Sequence, residues 1–211
     1  AQDSALGWLH RQWDGIEKMI AKFQQTSMRL RYSLVPTVAA VRGMALGGSC
    51  EFILHADRTV AALESYIGLV EVGVGILPAG GGCKEFAVRA AEEVRRGANG
   101  SQIDQFPFIR TYFQTIATAT VAKSALDAKD LGYLRPADIV VMHAHELLHV
   151  AKAQVRGLAE TGYRPPLPPK AVPVAGKTGI ATLEMMLVNM RDGGFISPYD
   201  FEIGVKVARV L

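Results

Sequence analysis

Val38-Ala39-Ala40-Val41-Arg42-Gly43-Met44-Ala45-Leu46-Gly47-Gly48-Ser49-Cys50-Glu51 is the stretch on which the fold turns. Thr37 to Val41 is a short, nearly all-apolar run of the kind that forms a strand covered on both faces. Gly43 marks a turn, and Gly47 and Gly48 permit a tight backbone entry into a helix over Ser49–His55. Ser49 is expected to cap that helix, and Glu51 to fall in its first turn, where the helix dipole favours a carboxylate. The local order is therefore strand, glycine turn, helix.

Twenty residues after Glu51 comes Glu71, inside Ile67-Gly68-Leu69-Val70-Glu71-Val72-Gly73-Val74-Gly75-Ile76-Leu77-Pro78-Ala79-Gly80-Gly81-Gly82. That run is too glycine-rich for a plain strand or helix and suits a chain passing close to a ligand. A helix start at Gly47-Gly48 exposes unpaired backbone N–H groups, which stabilise charge developing on a carbonyl oxygen. Two carboxylates beside such a site would supply proton acceptance and donation. Local features alone leave a second reading open: Glu51 as a dipole-stabilised helix-start residue and Glu71 as a solvated loop residue.

Outward from this centre, Ile16, Met19, Ile20, Phe23 and Leu30 recur at helical spacing opposite Glu17, Lys18, Lys22, Gln24 and Gln25, an amphipathic helix that Pro36 stops. Arg58–Ala62 reads as a second buried strand, and a helix follows from Gly82 to about Arg96. Further helices are predicted over Phe108–Val121 and Ala125–Leu131, then a strand over Ile139–Met142 and a helix from Ala144 to Leu158. Pro165, Pro166, Pro168, Pro169 and Pro173 make a stiff extended connector. Helices over Ile180–Met190 and Pro198–Leu211 come last, the second with Ser197 as cap and Pro198 at its first position. The organisation expected is a core over 1–162, a Pro-rich linker over 163–174 and a helical arm over 175–211.

The 211 residues are 49% hydrophobic and 20% charged, the composition of a soluble globular domain. No apolar run approaches the ~18–20 residues that a membrane-spanning helix needs. The formal charge of +3 is spread along the chain, which suits a small anionic ligand better than nucleic acid. The two cysteines, Cys50 and Cys83, have no metal-ligand spacing and favour a reducing compartment, by default the cytoplasm. Ala1-Gln2-Asp3-Ser4 has neither an initiator Met nor a signal-peptide layout, so the chain reads as a piece of something longer.

The stretch Val38 to Glu51 resembles the strand, turn and helix start of the crotonase superfamily, in its enoyl-CoA hydratase branch. His55-Ala56-Asp57-Arg58 followed by Tyr66 to Pro78 resembles the second catalytic segment of that family, and Ala125 to Leu134 its later helix and turn. The resemblance runs from about Trp13 to Leu158. It implies an α/β fold of the ClpP/crotonase type, a spiral of short ββα units, incomplete on its N-terminal side and followed by C-terminal helices. The variant Gly68-Leu69-Val70-Glu71-Val72-Gly73-Val74-Gly75 and the Pro-rich linker look most like the crotonase part of bifunctional bacterial proteins that also carry an NAD-dependent 3-hydroxyacyl-CoA dehydrogenase. No Gly-x-Gly-x-x-Gly follows a strand here, so NAD would belong to a part absent from this chain, and no cofactor is expected in it.

Carried over residue by residue, the resemblance implies that the Gly48 N–H binds a thioester oxygen, Glu51 activates water and Glu71 delivers a proton to the α-carbon of a 2-enoyl-CoA. Leu46, Gly47, Gly73 and Pro78 are the implied substrate-binding positions, and a trimer or dimer of trimers the implied assembly. The family's other oxyanion N–H precedes the segment that Trp13 starts, which predicts low or no activity for this chain alone, since one lost donor costs about 100- to 1000-fold. Ser49 replaces a third glycine, and Cys83 stands where many relatives have Thr.

Rival readings attach to other residues. His145-Glu146-Leu147-Leu148-His149 fits H-E-x-x-H, which on a helix grips zinc, with Glu160 as a third ligand; the alternative is a helix face of surface imidazoles that includes His143. Cys50 at a helix start reads as a nucleophile or as a small buried hydrophobe. Asp57 and Arg58 read as a structural ion pair. Met185, Met186, Leu187 and Met190 read as a partner-binding stripe or as packing. A non-catalytic structural or assembly module is the remaining alternative to the hydratase.

Overall fold

The computed structural model describes residues 13–97 and 103–211. Helix α1 (Trp13–Arg31) leads into β1 (Val38–Val41), β2 (Met44–Leu46) and α2 (Gly48–His55). The same order follows at once in β3 (Arg58–Ala62), β4 (Tyr66–Gly68), a 3-10 turn (Glu71–Val74) and α3 (Gly82–Gly97). β1 pairs with β3 and β2 with β4, both in parallel, so the two ββα units stack with their strands in register: Val38 lies beside Arg58 and Met44 beside Tyr66. This is the crotonase-type α/β spiral. After α4 (Phe106–Ala117) and α5 (Ala125–Asp130), β5 (Ile139–Val141) joins β3 in parallel and completes a sheet ordered β1-β3-β5. α6 (Leu147–Glu160) packs across β1 and β3, and after a segment without regular structure come α7 (Gly176–Asp192) and α8 (Pro198–Val210).

β3 is the middle strand, and Thr59 to Ala62 are all buried, which is why this run lacks the polar alternation of a half-exposed strand. One face of the sheet meets Leu147 and Ala151 of α6. The larger core lies on the other side, where α2, α3, α4 and the C-terminal pair converge. Phe86 of α3, with no exposed surface, stacks on Tyr112 at 4.5 Å, and burying such a side chain contributes about 1.5–3 kcal/mol. Leu183 and Leu187 of α7 and Ile203 and Val207 of α8 belong to that same cluster. Ser197 caps α8 as expected: its hydroxyl accepts from the Asp200 N–H at 3.1 Å, and the Asp200 carboxylate accepts from the Ser197 N–H at 3.0 Å.

Several local expectations need correction. Ser49 does not cap α2; Gly47 takes the cap position at φ 58, and its carbonyl accepts from the Glu51 N–H at 3.0 Å, so the helix starts at Gly48 and Ser49 is exposed. The left-handed backbone open to Gly47 turns the chain earlier than the hydroxyl signal suggests. α4 begins at Phe106 and stops at Ala117, short of Val121, because Ala119 turns to φ 48 and Ala122 leaves to exchange hydrogen bonds with Ile67. The helix expected from Ala144 opens as a 3-10 turn over Ala144–Glu146 before α6. α7 is longer than Ile180–Met190, and β2 and β4 are strands that the glycine content hid. Among the described residues, no helix is long and apolar enough to cross a membrane.

Candidate active site

Glu51 lies in the first turn of α2 with its side chain almost fully buried. Its Oε1 accepts from the Gly82 N–H at 2.9 Å, and Gly82 opens α3, so one carboxylate is served by the N-termini of two helices. Burial pushes the Glu51 pKa up, while the N–H groups of Gly82, Gly80 and Gly81 work against that by favouring the charged form. Behind it, His55 Nδ1 lies 2.6 Å from the Glu51 carbonyl oxygen, which can only accept, so Nδ1 carries the proton. His55 Nε2 then accepts from Lys84 at 2.9 Å. Burial lowers the His55 pKa, in keeping with a neutral ring.

Glu71 reaches the same place from the 3-10 turn after β4. Its Oε1 is 3.3 Å from the point where Gly47 would carry a Cβ, and its buried Oε2 has no hydrogen-bond partner among the described residues. Burial, reinforced by the negative charge of Glu51, raises the Glu71 pKa to about 7. Two carboxyl groups thus feel each other's charge: burial raises both, N–H donors partly offset that for Glu51, and Glu71 is poised to carry a proton near neutral pH.

The two segments are locked together by the backbone. The Gly47 N–H donates to the Gly68 carbonyl at 2.8 Å. The Tyr133 hydroxyl accepts from the Leu69 N–H at 3.3 Å and donates to the Thr120 carbonyl at 2.7 Å, fixing the chain two residues before Glu71. From α8, the Tyr199 hydroxyl donates to the Gly75 carbonyl at 2.9 Å, just past the turn that bears Glu71.

The remaining residues singled out by sequence divide. Gly48 is the first residue of α2, where an N–H lacks an intrahelical acceptor. Leu46 ends β2, Gly47 touches Glu71, and Gly73 lies exposed within the Glu71 turn. Pro78 is buried, its Cβ 3.0 Å from the Cβ position of Gly82. Cys50 is fully buried and burial drives its thiol far up in pKa, the reverse of an activated nucleophile. Cys83 is likewise buried, and burial pushes its thiol up to about 12.

The H-E-x-x-H residues do not form a ligand set. His145 and Glu146 lie in the 3-10 turn, His149 in α6, and no group of three or more His, Cys, Asp or Glu able to hold a metal gathers among the described residues. Asp57 does not pair with Arg58; it accepts from the Thr37 N–H at 2.7 Å and from the Tyr163 hydroxyl at 2.9 Å. The methionine stripe splits, with Leu187 in the core, Met186 packed against it and Met185 exposed.

Sequence reasoning missed three neighbours of the pair. Gly80-Gly81-Gly82 ahead of α3 was legible as a second helix N-terminus aimed at a carboxylate. His55 carried no separate signal, being one polar residue on an apolar helix. Phe23 counted only as one apolar position of α1, yet its ring lies against both Gly48 and Gly80.

Parallel ββα units with two carboxylates at their helix and turn starts define a crotonase-fold protein. Residues 10–95 match the family described as Enoyl-CoA hydratase/isomerase. A Bacillus subtilis protein described as "Probable 3-hydroxyacyl-CoA dehydrogenase" is 41% identical over 196 residues, which are 93% of this chain and 24% of that protein. "Fatty acid oxidation complex subunit alpha" of Colwellia psychrerythraea is 52% identical over 48 residues, 23% of this chain and 7% of that one. The chain thus spans about a quarter or less of the length of these relatives. Among solved structures, an enoyl-CoA hydratase from Bacillus anthracis superposes with a TM-score of 0.53 at 22% identity, covering 93% of this chain and 61% of that one. An enoyl-CoA hydratase from Polaromonas sp. JS666 gives 0.55 at 18% identity, covering 98% and 65%. At such identities these structures speak for the fold.

Proposed function

We propose that this chain carries the site of an enoyl-CoA hydratase, adding water in syn fashion to a 2-enoyl-CoA to give a 3-hydroxyacyl-CoA. The observation that carries the reading is the approach of Glu71 to Gly47, beside the helix start that bears Gly48 and Glu51, with burial raising the pKa of both carboxyls and the Glu51 charge raising that of Glu71 further. Glu51 takes a proton from water as its oxygen bonds C3. Electron density moves onto the thioester oxygen, which the Gly48 N–H stabilises. Glu71 gives its proton to C2, so one proton leaves water, one reaches carbon, and the pair's total is unchanged. Leu46, Gly47, Gly73 and Pro78 are the proposed contacts to the thioester and its CoA. The names of the Bacillus subtilis and Colwellia relatives support a place within a larger fatty-acid-oxidation enzyme with a 3-hydroxyacyl-CoA dehydrogenase part; that NAD serves that part, that the whole is cytoplasmic and that it assembles as a homo-oligomer belong to the proposal alone.

The test is crotonyl-CoA hydration by the chain and by its Glu51→Gln variant, together with acetoacetyl-CoA titration of both. General acid–base catalysis is worth about 100- to 10,000-fold, so turnover should fall by at least the lower figure while binding persists. Measurable hydration left unaltered in Glu51→Gln, or a folded chain that binds no CoA thioester, would refute the reading; the latter leaves a structural module.

A further inference from the structure

His55 is joined to the surroundings of Glu51 at both ends of its ring, and each end fixes the other. Nδ1 lies 2.6 Å from the Glu51 carbonyl oxygen, which can only accept, and Nε2 lies 2.9 Å from Lys84 Nζ, which can only donate. Glu85 Oε1 stands farther from Nε2, at 3.6 Å. The two nearer partners together admit only the neutral ring with its proton on Nδ1, and the side chain is fully buried. Its outer edge meets Gly81 at φ 121, with Cε1 2.6 Å and Nε2 2.9 Å from the point where a Cβ would stand. The turn through Gly80, Gly81 and Gly82 therefore lies directly against the imidazole.

The Lys84 end is anchored in turn. Lys84 belongs to the first turn of α3 and also donates to the Glu85 carboxylate, which has Arg31 at 3.9 Å and Arg135 at 3.8 Å. Arg135 donates to the Leu54 and Ala56 carbonyls at the end of α2, at 3.4 and 3.3 Å. One rigid ring thus spans from the main chain of Glu51 to the start of α3, where the N–H groups of Gly82, Gly80 and Gly81 favour the charged form of the Glu51 carboxyl. Hydrogen bonds weaken steeply with misalignment, so the length of that span decides how well those donors meet the carboxylate.

Resting on the hydratase reading, which makes Glu51 the base, we propose that His55 is a positioning residue: a neutral strut that holds the N–H groups of Gly80, Gly81 and Gly82 on the Glu51 carboxylate and favours its ionised form against burial. It acts through Glu51 alone. Because the ring is neutral, replacing it by another neutral side chain leaves the formal charge around Glu51 unchanged, and a moved Glu51 titration then reports alignment.

The experiment labels the glutamate side-chain carboxyls with carbon-13, assigns the Glu51 signal by its loss from Glu51→Gln, and follows its titration by NMR. His55→Phe keeps a ring but neither hydrogen bond and should move the Glu51 midpoint up by about one to two pH units, the worth of one hydrogen bond to a charged group. His55→Gln carries its amide as many bonds from the backbone as Nε2, keeps the link to Lys84 and should recover part of that change. Where crotonyl-CoA is turned over, the acid limb of kcat/KM should move up with the titration. In the wild-type chain, proton–nitrogen correlation across the ring should place the proton on Nδ1 at pH 7.

A Glu51 midpoint unmoved in folded His55→Phe makes the ring space-filling only and overturns the inference. A wild-type ring that is charged at pH 7, or that carries its proton on Nε2, also overturns it, with no variant needed. A wild-type chain that binds no acetoacetyl-CoA overturns the hydratase reading instead, and with it the part given to Glu51.

Discussion

Replacing Glu71 by Gln should make the protein more stable at pH 8 while removing the carboxyl that the hydratase reading uses as proton donor. The carboxyl has an ordinary value of 4.5 in the unfolded chain and about 7 in the folded one, raised by burial and by the charge of Glu51. Below pH 4.5 it is protonated in both states and costs nothing. As pH rises through 7 the folded state must ionise a buried group, and the stability present in acid is lost. Every tenfold change in proton affinity between the two states is worth about 1.4 kcal/mol, so the penalty reaches about 3 kcal/mol at pH 8 and stays under about 1 kcal/mol at pH 5. Gln has the same shape and never ionises. In a domain of this size each kcal/mol moves Tm by about 2–4 °C, so Glu71→Gln should melt roughly 6–12 °C above wild type at pH 8, with most of the gap gone at pH 5. Thermal unfolding followed by circular dichroism at both pH values reads this directly. A gap of equal size at pH 5 and pH 8, or a wild type that melts higher at pH 8, would refute the claim that Glu71 is held in a site hostile to its charge.

Two further outcomes follow from the surroundings of the site. Glu85 is 1% exposed; burial raises its pKa, but Arg31, Lys84 and His55 outweigh burial and hold it below the usual carboxylate value. Glu85→Gln leaves Arg31, at 3.9 Å, and Arg135, at 3.8 Å, without their counter-charge and should cost about 3–5 kcal/mol at pH 7, seen as a lower urea midpoint; the loss should shrink as acid protonates wild-type Glu85. Tyr199→Phe removes the bond to the Gly75 carbonyl at a half-exposed position and should cost only about 0.5–1 kcal/mol, a Tm change of roughly 1–4 °C by calorimetry.

Much of the architecture was readable because apolar runs and glycines carry it. Arg58–Ala62 announces a buried parallel strand by composition alone, whereas Val38–Val41, read as covered on both faces, forms a parallel edge strand with only Val41 buried and Ala40 exposed; Glu51 falls in its helix start as the Gly47-Gly48 pair implies. β2 and β4 were not readable: each has three residues, and Gly68 sits where a side chain would strike the Thr120 carbonyl at 3.0 Å. Strand pairing there is a tertiary event that local propensity does not encode. The two glutamates stood out by position, but their raised pKa values come from burial that only folding creates. Phe23 and His55 were silent for the same reason. Each looks ordinary on its own helix, and its role lies in which glycine faces it.

The parallel sheet also bears on how the chain reaches its native state. β1 and β3 meet across about 20 residues, whereas the bond from the Thr59 N–H to Asp138, which sets the start of the β3–β5 pairing, spans 79. Closing the longer loop costs about 1 kcal/mol more in chain entropy, since each doubling of length adds roughly 0.6 kcal/mol. The ββα pair carrying Glu51 and Glu71 is therefore the early-forming, low-contact-order half of the molecule, and β5 is a late clasp. In refolding followed by pulsed hydrogen exchange, the amides of Val60 and Ala62, which face β1, should be protected before that of Val141, which faces β3.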